Sequence, residues 1–353
     1  MTAKKPPLGI SLARTFGNDI CETRVKDAAD AMVSLGLRDA GYEYLMIGDV
    51  LFEKRRDRAT GALVVNSEKF PSGIKALTDY LHDKGLKLGI TTSAGAATAS
   101  GAPGCIDHEY DDAAAFAEWG IDMISHDTVN MPPKSNEQTL IRRMGMALRV
   151  CGREILYSVF STDERLHVWI RSACANAYCD RKLADAAGAV TPPAVTFGYS
   201  ADYCWHNCGE IVLNKETSLE SLRSQMILCA MMSSPIIVDC DVTALCDKAL
   251  EILTSAGLIA VSQDEEGRPA RLFSEGVYVK WLADAQYAVA FINDTDEEKK
   301  LDFYAYDFGI TWNAGYALEI TGICGADEKV EFDAMISVNV PAHDAVLYRL
   351  NLV

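Results

Sequence analysis

The sequence predicts an α/β fold: a (β/α)8 TIM barrel followed by a C-terminal all-β antiparallel sandwich. Three observations lead there. Short aliphatic or β-branched runs alternate with amphipathic stretches through most of the chain, the pattern of strand–helix units around a parallel sheet. About eight such units fit within roughly 265 residues, the size of a closed (β/α)8 barrel. Beyond about residue 270, short strands follow one another with only turn residues between them, and no helical period returns. The expected division is a barrel over 1–270 and a sandwich over 271–353.

Each element has its own signal. Leu8-Gly-Ile-Ser-Leu12 reads as strand one, and Val25, Ala28, Ala29, Met32 and Val33 then mark one face of a helix. Tyr44–Asp49 is strand two. Pro71 opens a helix with the stripe Ile74, Leu77, Tyr80 and Leu81, and Gly85 ends it. Strand three is Leu86–Thr92, followed by a helix around Ala113–Trp119; strand four is Ile121–Asp127. A helix over Leu140–Val150 leads to strand five, Glu154–Val159. Strands six and seven are expected at Val168–Ser172 and Ala194–Phe197. Strand eight, Pro235–Asp239, follows a helix over Ser218–Met232, and a last helix over Leu245–Ala256 closes the ring. The sandwich strands are Val277–Trp281, Tyr287–Phe291, Leu301–Tyr304, Ala317–Ile320, Val330–Phe332, Ile336–Val340 and Ala345–Leu350. An open doubly wound sheet has the same alternation. No Gly-x-Gly-x-x-Gly follows strand one and no Gly-x4-Gly-Lys-Ser/Thr occurs, so no nucleotide cofactor is expected.

Composition narrows the partners. Of 353 residues, 49% are hydrophobic and 24% charged, proportions of a globular chain. Fifty acidic against 33 basic residues give a formal charge of −17, which repels nucleic acid and anionic lipid. No apolar run approaches the ~20 residues of a membrane helix, and Met1–Pro7 has no apolar leader core. Eleven cysteines, an odd number, fit reduced thiols and a cytoplasmic location better than a secreted disulfide framework. Cys174, Cys179, Cys204, His206 and Cys208 cluster in sequence, but their spacings match no structural zinc pattern, and no metal is expected. A neutral small molecule is the compatible partner, and a homo-oligomer remains compatible too.

Barrel active sites lie at the C-terminal ends of the strands. The residues there are Asp49; Thr91 to Ser93; Ser125, His126 and Asp127; Phe160 and Ser161; Arg171 to Cys174; Tyr203 to Glu210; and Asp239. Two carboxylates on different strands beside an arginine suit acid/base or nucleophilic chemistry. Each has a plainer role as well. Asp49 and Asp127 serve equally as turn acids or helix caps, His126 as a core imidazole, Arg171 as the counter-ion of a buried carboxylate. Trp205 suits core and sugar platform alike, and Asp239 reads as structural.

Several blocks carry a resemblance. Pro6-Pro-Leu-Gly9, Ala31-Met-Val-Ser-Leu-Gly36, Ala40-Gly-Tyr-Glu-Tyr44 and Phe70–Leu77 come first. Lys84–Ile90, Phe116–Asp122, Ser224-Gln-Met226, Ala230–Pro235, Val261-Ser-Gln-Asp264 and Val340-Pro-Ala-His343 follow. Together they resemble the melibiase-type α-galactosidase and α-N-acetylgalactosaminidase family, glycoside hydrolase family 27. The resemblance implies a retaining glycosidase whose two carboxyls stand ~5–5.5 Å apart. It makes Asp127 similar to the nucleophile, with Ser125 where the family has Lys. The family's acid/base, four residues after a strand-six Arg matched by Arg171, reads Ala175.

Other family positions have changed too. The strand-two Asp pair reads Gly48-Asp49, the strand-three Tyr reads Thr91, and the strand-five Glu reads Phe160. The Trp near strand one reads Ala13, the Trp-Asn-Asp-Pro-Asp-Met loop reads Trp205–Glu210, and the cysteines beside the nucleophile read Ala99 and Val129. Glu210 is then the first candidate for acid/base, ahead of Asp202 and Tyr178. Asp49, Thr91, Ser125, His126, Phe160, Arg171, Trp205 and His206 are candidate substrate contacts. Three functions fit: a hydrolase with a changed substrate, a non-hydrolytic carbohydrate-active enzyme, and a silent sugar-binding relative.

Overall fold

The computed structural model describes residues 4–161, 169–173, 177–179, 204–304, 306, 309, 318–325 and 335–352. The chain divides into two compact units that interleave in sequence. The first comprises Met1–Asp180, Tyr203–Asn207 and Ile237–Leu245; the second comprises Arg181–Asp202, Cys208–Ile236 and Cys246–Val353.

In chain order the parallel strands are β1 (Leu8–Ser11), β2 (Tyr44–Met46), β3 (Lys87–Ser93), β4 (Met123–Asp127), β5 (Leu156–Phe160), β6 (Ala177–Cys179) and β7 (Trp205–Asn207). After β8 (Ile211–Val212), a short strand of the second unit, comes β9 (Ile236–Asp239). Strands of the first unit run in the order β7-β6-β5-β4-β3-β2-β1-β9. Every pairing from β1 through β7 is parallel and sequential. This is the (β/α)8 barrel that the alternation predicts.

Its helices are α1 (Ala13–Phe16), α2 (Glu22–Ser34), α3 (Ile74–Asp83), α4 (Glu109–Trp119) and α5 (Glu137–Val150). α3 shows why such helices form: Ile74, Leu77 and Leu81 are buried at helical spacing while Lys75 and Asp79 face water as an i,i+4 pair. The barrel interior is filled at its base by Tyr44, Met46, Met123, Leu156, Trp205 and Ile237. Gly89 lies in this layer, where a Cβ would collide with the Met46 thioether.

One strand sits elsewhere than expected. Val168–Ser172 is not strand six: Ile170–Ala173 forms a 3-10 turn, and β6 follows at Ala177–Cys179. Ile170 and Ala173 are both buried, the i,i+3 spacing that a 3-10 turn brings onto one side. Ala194–Phe197 lies outside the described residues, and the strand that pairs with β6 is β7, with Ala177 opposite Trp205.

The second unit holds α6 (Leu219–Met231), α7 (Asp247–Leu253), α8 (Ala256–Ser262) and the antiparallel strands. The helix expected over Leu245–Ala256 is α7, Asp247–Leu253, and α8 follows it after Thr254 and Ser255. The strands are β10 (Arg271–Ser274), β11 (Val277–Trp281), β12 (Gln286–Ile292), β13 (Lys299–Tyr304), β14 (Leu318–Cys324), β15 (Met335–Val340) and β16 (Ala345–Leu352). They form a five-stranded sheet, β10-β11-β12-β16-β14, and a pair, β13-β15. Val279, Val289, Phe291 and Tyr348 of the larger sheet meet Leu301, Phe303 and Ile336 of the pair in one apolar core, a sandwich. β10 is not among the strands expected from the sequence, and Val330–Phe332 lies outside the described residues.

Lys280 of β11 is fully buried. Its ammonium donates to the Ala230 carbonyl at 2.8 Å and the Val261 carbonyl at 2.6 Å, near the C-terminal ends of α6 and α8. Those are the helix ends at which a cation is favoured.

Candidate active site

Strand parity builds the site. Side chains alternate across a strand, so Gly89, Thr91 and Ser93 of β3 share the interior face with Met123, Ser125 and Asp127 of β4. In β5 the same face carries Leu156, Ser158 and Phe160, with Ser158 opposite Ser125. Along this face the chemistry changes from base to rim. Met123 and Leu156 are buried, the next layer is hydroxyl (Thr91, Ser125, Ser158), and the last is Asp127 and Phe160 at the open end. Phe160 is 40% exposed.

Asp127 is the final residue of β4 and partly buried. Its Oδ1 accepts the Val129 backbone N–H at 3.2 Å, the local turn expected of an Asp at a strand end. Burial pushes its pKa above the usual carboxylate range, and the Asp49 carboxylate adds to that. Hydrogen bonds from the Ser93 hydroxyl and the Val129 N–H oppose the rise. Asp49 stands in the turn after β2, and its Oδ2 accepts the Ser100 N–H at 3.2 Å.

Other sequence candidates fall elsewhere. His126 has the opposite parity to Asp127 and is fully buried on the helix-facing side. Its Nδ1 is hydrogen-bonded to the Thr92 hydroxyl at 2.7 Å, and its ring packs on Tyr157, with centroids 5.7 Å apart. Burial lowers its pKa to about 3, so it stays neutral. As a core imidazole it lies on the opposite face of β4 from Asp127. Trp205 is part of the buried base, 1% exposed, which makes it floor rather than an open platform. His206, the next residue, is buried with the opposite parity. Arg171 lies on the 3-10 turn ahead of β6, not at a strand end. Tyr178 is the middle residue of β6. Glu210 follows β7 in the second unit, while Asp202 and Ala175 lie outside the described residues.

Asp239 is structural. Fully buried, it accepts from Ser11 Oγ at 2.6 Å, Arg14 N at 2.9 Å, Thr15 N at 2.8 Å and Thr15 Oγ1 at 2.7 Å. Ser158 and Asn207, interior-facing by parity on β5 and β7, join the candidates; extending the alternation of each strand by one step finds both. Cys204 and Cys208 are buried thiols. Among the described residues no group of three or more His, Cys, Asp and Glu side chains could hold a metal.

A parallel (β/α)8 barrel that carries hydroxyls and the Asp127 carboxylate at the C-terminal ends of its strands has the architecture of a barrel enzyme. Comparison with known proteins makes the class particular. A family model described as alpha galactosidase A matches residues 10–178. Alpha-galactosidase A of Cellvibrio japonicus is 31% identical over 391 residues, covering 99% of this chain and 92% of the relative. The alpha-galactosidase of Cyamopsis tetragonoloba is 32% identical over 357 residues, 98% of this chain and 86% of that protein. The crystal structure of alpha-galactosidase I from Mortierella vinacea superposes with a TM-score of 0.88 at 25% identity, over 99% of this chain and 97% of that one. A family 27 β-L-arabinopyranosidase from Geobacillus stearothermophilus shares the fold, with a TM-score of 0.85 at 18% identity over 99% and 97%. The chain belongs to the alpha-galactosidase family, glycoside hydrolase family 27. Among the described residues no helix is long and apolar enough to cross a membrane.

Proposed function

We propose that the protein is a retaining glycosidase of the α-galactosidase type acting on a small glycoside, with Asp127 as nucleophile and an acid/base outside the family's usual position. The observation that carries this reading is Asp127 itself, a partly exposed carboxylate on the interior face at the end of β4, with Asp49 close enough to act on its charge. In the first step an Asp127 oxygen attacks the anomeric carbon, the bond to the leaving oxygen breaks, and the acid protonates that oxygen. Water then releases the sugar from the glycosyl ester, with the acid/base taking a proton from the water. The Val129 and Ser93 donors favour the ionised form that attack requires.

The acid count is reset by the position of β6. Counting four residues from Arg171 lands on Ala175, but Arg171 precedes β6; after β6 ends at Cys179 the next carboxyls in the chain are Asp180 and Asp185. Glu210 stands with them as candidate acid/base. Asp49, Thr91, Ser125 and Ser158 supply polar contacts to the sugar, and Phe160 offers a ring face at the rim. Losing a charge-assisted bond where the family has Glu costs ~1.5–3 kcal/mol, so an unmodified α-galactoside is a weak substrate. The buried thiols and odd cysteine count support a cytoplasmic protein, and the charge of −17 supports a partner other than nucleic acid.

A nitrophenyl glycoside panel covering α-galactoside, α-N-acetylgalactosaminide and β-L-arabinopyranoside tests the reading. Turnover of one sugar that vanishes in Asp127→Asn supports it; wild type and variant equally slow on every sugar removes it. Among Glu210→Gln, Asp180→Asn and Asp185→Asn, the acid/base variant spares dinitrophenyl substrates, loses alkyl glycosides and is rescued by azide.

A further inference from the structure

A cationic hairpin follows β2 at the C-terminal end of the barrel. Phe52 bridges Val65, the Glu53 N–H donates to the Val64 carbonyl at 2.8 Å, and the Asp57 N–H to the Ala62 carbonyl at 2.9 Å. Arg56 fastens the hairpin down. Its guanidinium donates to both oxygens of the buried Asp112, at 2.7 and 2.6 Å, and to the carbonyls of Gly61 at 3.1 Å and Gly104 at 2.7 Å. Around that anchor Lys54, Arg55 and Arg58 are exposed.

No acid balances these three. In a chain of charge −17 a base readily finds a carboxylate, as Arg38 finds Asp39 and Arg153 finds Asp122. Arg55 and Arg58 have no ion-pair or hydrogen-bond partner among the described residues. Asp57, between them, is occupied by its own turn, accepting the N–H groups of Ala59 at 3.0 Å and Thr60 at 2.8 Å. Lys54 meets only a neutral group, the Ser100 carbonyl. An ammonium has three donors, so two remain for a ligand. The overall charge disfavours anions at a distance, and the hairpin reverses the sign locally.

Ser100 ties this charge to the candidate site. It lies in the turn of the loop after β3, and that loop is fixed to the one after β4. Asn130, three residues beyond Asp127, donates its side-chain amide to the carbonyls of Ala97 and Thr98, both at 3.1 Å. Gly95 presses so closely on the Val129 and Asn130 backbone that a Cβ there would collide with both. The Ser100 N–H donates to Asp49 Oδ2 at 3.2 Å, while its carbonyl accepts from the Lys54 ammonium. A single residue, ~3.5 Å of chain, therefore stands between the Asp49 carboxylate and a cation with donors to spare.

We propose that the glycoside is anionic: its sugar lies against Asp49, and a phosphate or sulfate ester on it is received by Lys54, with Arg55 and Arg58 supplying the surrounding positive field. This deepens the glycosidase reading and rests on it. Asp49 repels an anion on its own side of Ser100, so the ester lies on the Lys54 side. Charge-assisted bonds to ester oxygens are the strong kind, and a hairpin pinned by Arg56 loses little freedom in making them.

The test compares kcat/KM of the full chain on nitrophenyl α-galactoside and α-N-acetylgalactosaminide with that on their 6-phosphates and 6-sulfates, at about 50 mM and about 300 mM salt. An ester preferred by about tenfold or more at low salt, and by less at high salt, supports the proposal, and the better ester identifies the substituent. Lys54→Gln lowers the ester-to-neutral ratio about tenfold; Arg55→Gln and Arg58→Gln lower it about twofold each, an effect that salt removes. A loss in Lys54→Gln shared equally by neutral and esterified substrates marks a loop contact only and overturns the proposal. Neutral glycosides turned over through Asp127 with no ester preference overturn it too, and leave the glycosidase reading standing.

Titration calorimetry with galactose 6-phosphate, galactose and inorganic phosphate needs no turnover. A sugar phosphate bound more tightly than either part, and weakened in Lys54→Gln, supports the subsite even if nothing is cleaved, in which case it is the hydrolase assignment that fails. Inorganic phosphate bound as tightly as the sugar phosphate overturns it.

Discussion

Two carboxylates close strands of the same barrel, four places apart in the sheet order, and have opposite fates. Asp239, closing β9, is fully buried and receives four hydrogen bonds at 2.6–2.9 Å from Ser11, Arg14 and Thr15. Asp127, closing β4, is partly exposed and receives a single turn bond at 3.2 Å from the Val129 N–H. A fully satisfied carboxylate holds the chain in place, whereas one left partly unsatisfied at an opening is available for chemistry.

The largest effect expected from this contrast is on activity. Asp127→Asn lowers kcat/KM by about a thousandfold or more while the fold survives. The same change raises the melting temperature at neutral pH by about 1–3 °C. The sign follows from linkage: a carboxyl whose folded pKa is raised binds its proton more tightly in the folded chain, so stability falls as pH rises and the group ionises. The stability gap between variant and wild type therefore closes on acidification, which scanning calorimetry between pH 4 and pH 7 reads directly.

Asp239→Ala inverts the pattern. Removing the acceptor of four buried or half-buried donors costs about 3–5 kcal/mol in urea denaturation. A variant that loses activity at unchanged stability would erase the distinction between the two acids.

Lys280 extends the comparison to a cation in the second unit. Lys280→Met strands two helix-end carbonyls and costs about 2–3 kcal/mol. Burial holds the Lys280 pKa down at about 7, with Asp264 pulling the other way, against about 10.4 in an unfolded chain. Between those values the unfolded chain binds more protons, so this group adds stability as pH rises from 7 towards 10. The wild-type advantage over Lys280→Met grows across that range; an advantage that shrinks would mean the ammonium is the favoured form in place.

The smallest effect belongs to His126. His126→Phe keeps the Tyr157 contact and loses the Thr92 bond, at about 1 kcal/mol of stability. Activity stays within about threefold, and its profile between pH 5 and pH 8 is unmoved, because the imidazole is already neutral.

Where periodicity is strong, the fold was legible. The α3 stripe, the runs of β3, β4 and β5, and the switch to antiparallel strands after residue 270 all lie where period and turn residues put them. β6 and β7 were not, because Ala177-Tyr-Cys has no β-branched residue and Ile170 with Ala173 imitates half a strand at 3-10 spacing. At the site, Asp127 is visible as the acid closing a strand, whereas a strand-end position by itself does not separate Ser125 from His126. Applying parity outward from Met123 separates Ser125 and Asp127 from His126 without any coordinates. The burial of Trp205 in the barrel base depends on which layer β7 enters, which is a tertiary matter.

The contact of Gly95 with the Val129 and Asn130 backbone leaves no volume for even a methyl group. Position 95 is thereby closed to any larger residue, whereas at the end of β5 the ring of Phe160 already stands in solvent and can be exchanged without displacing packed neighbours.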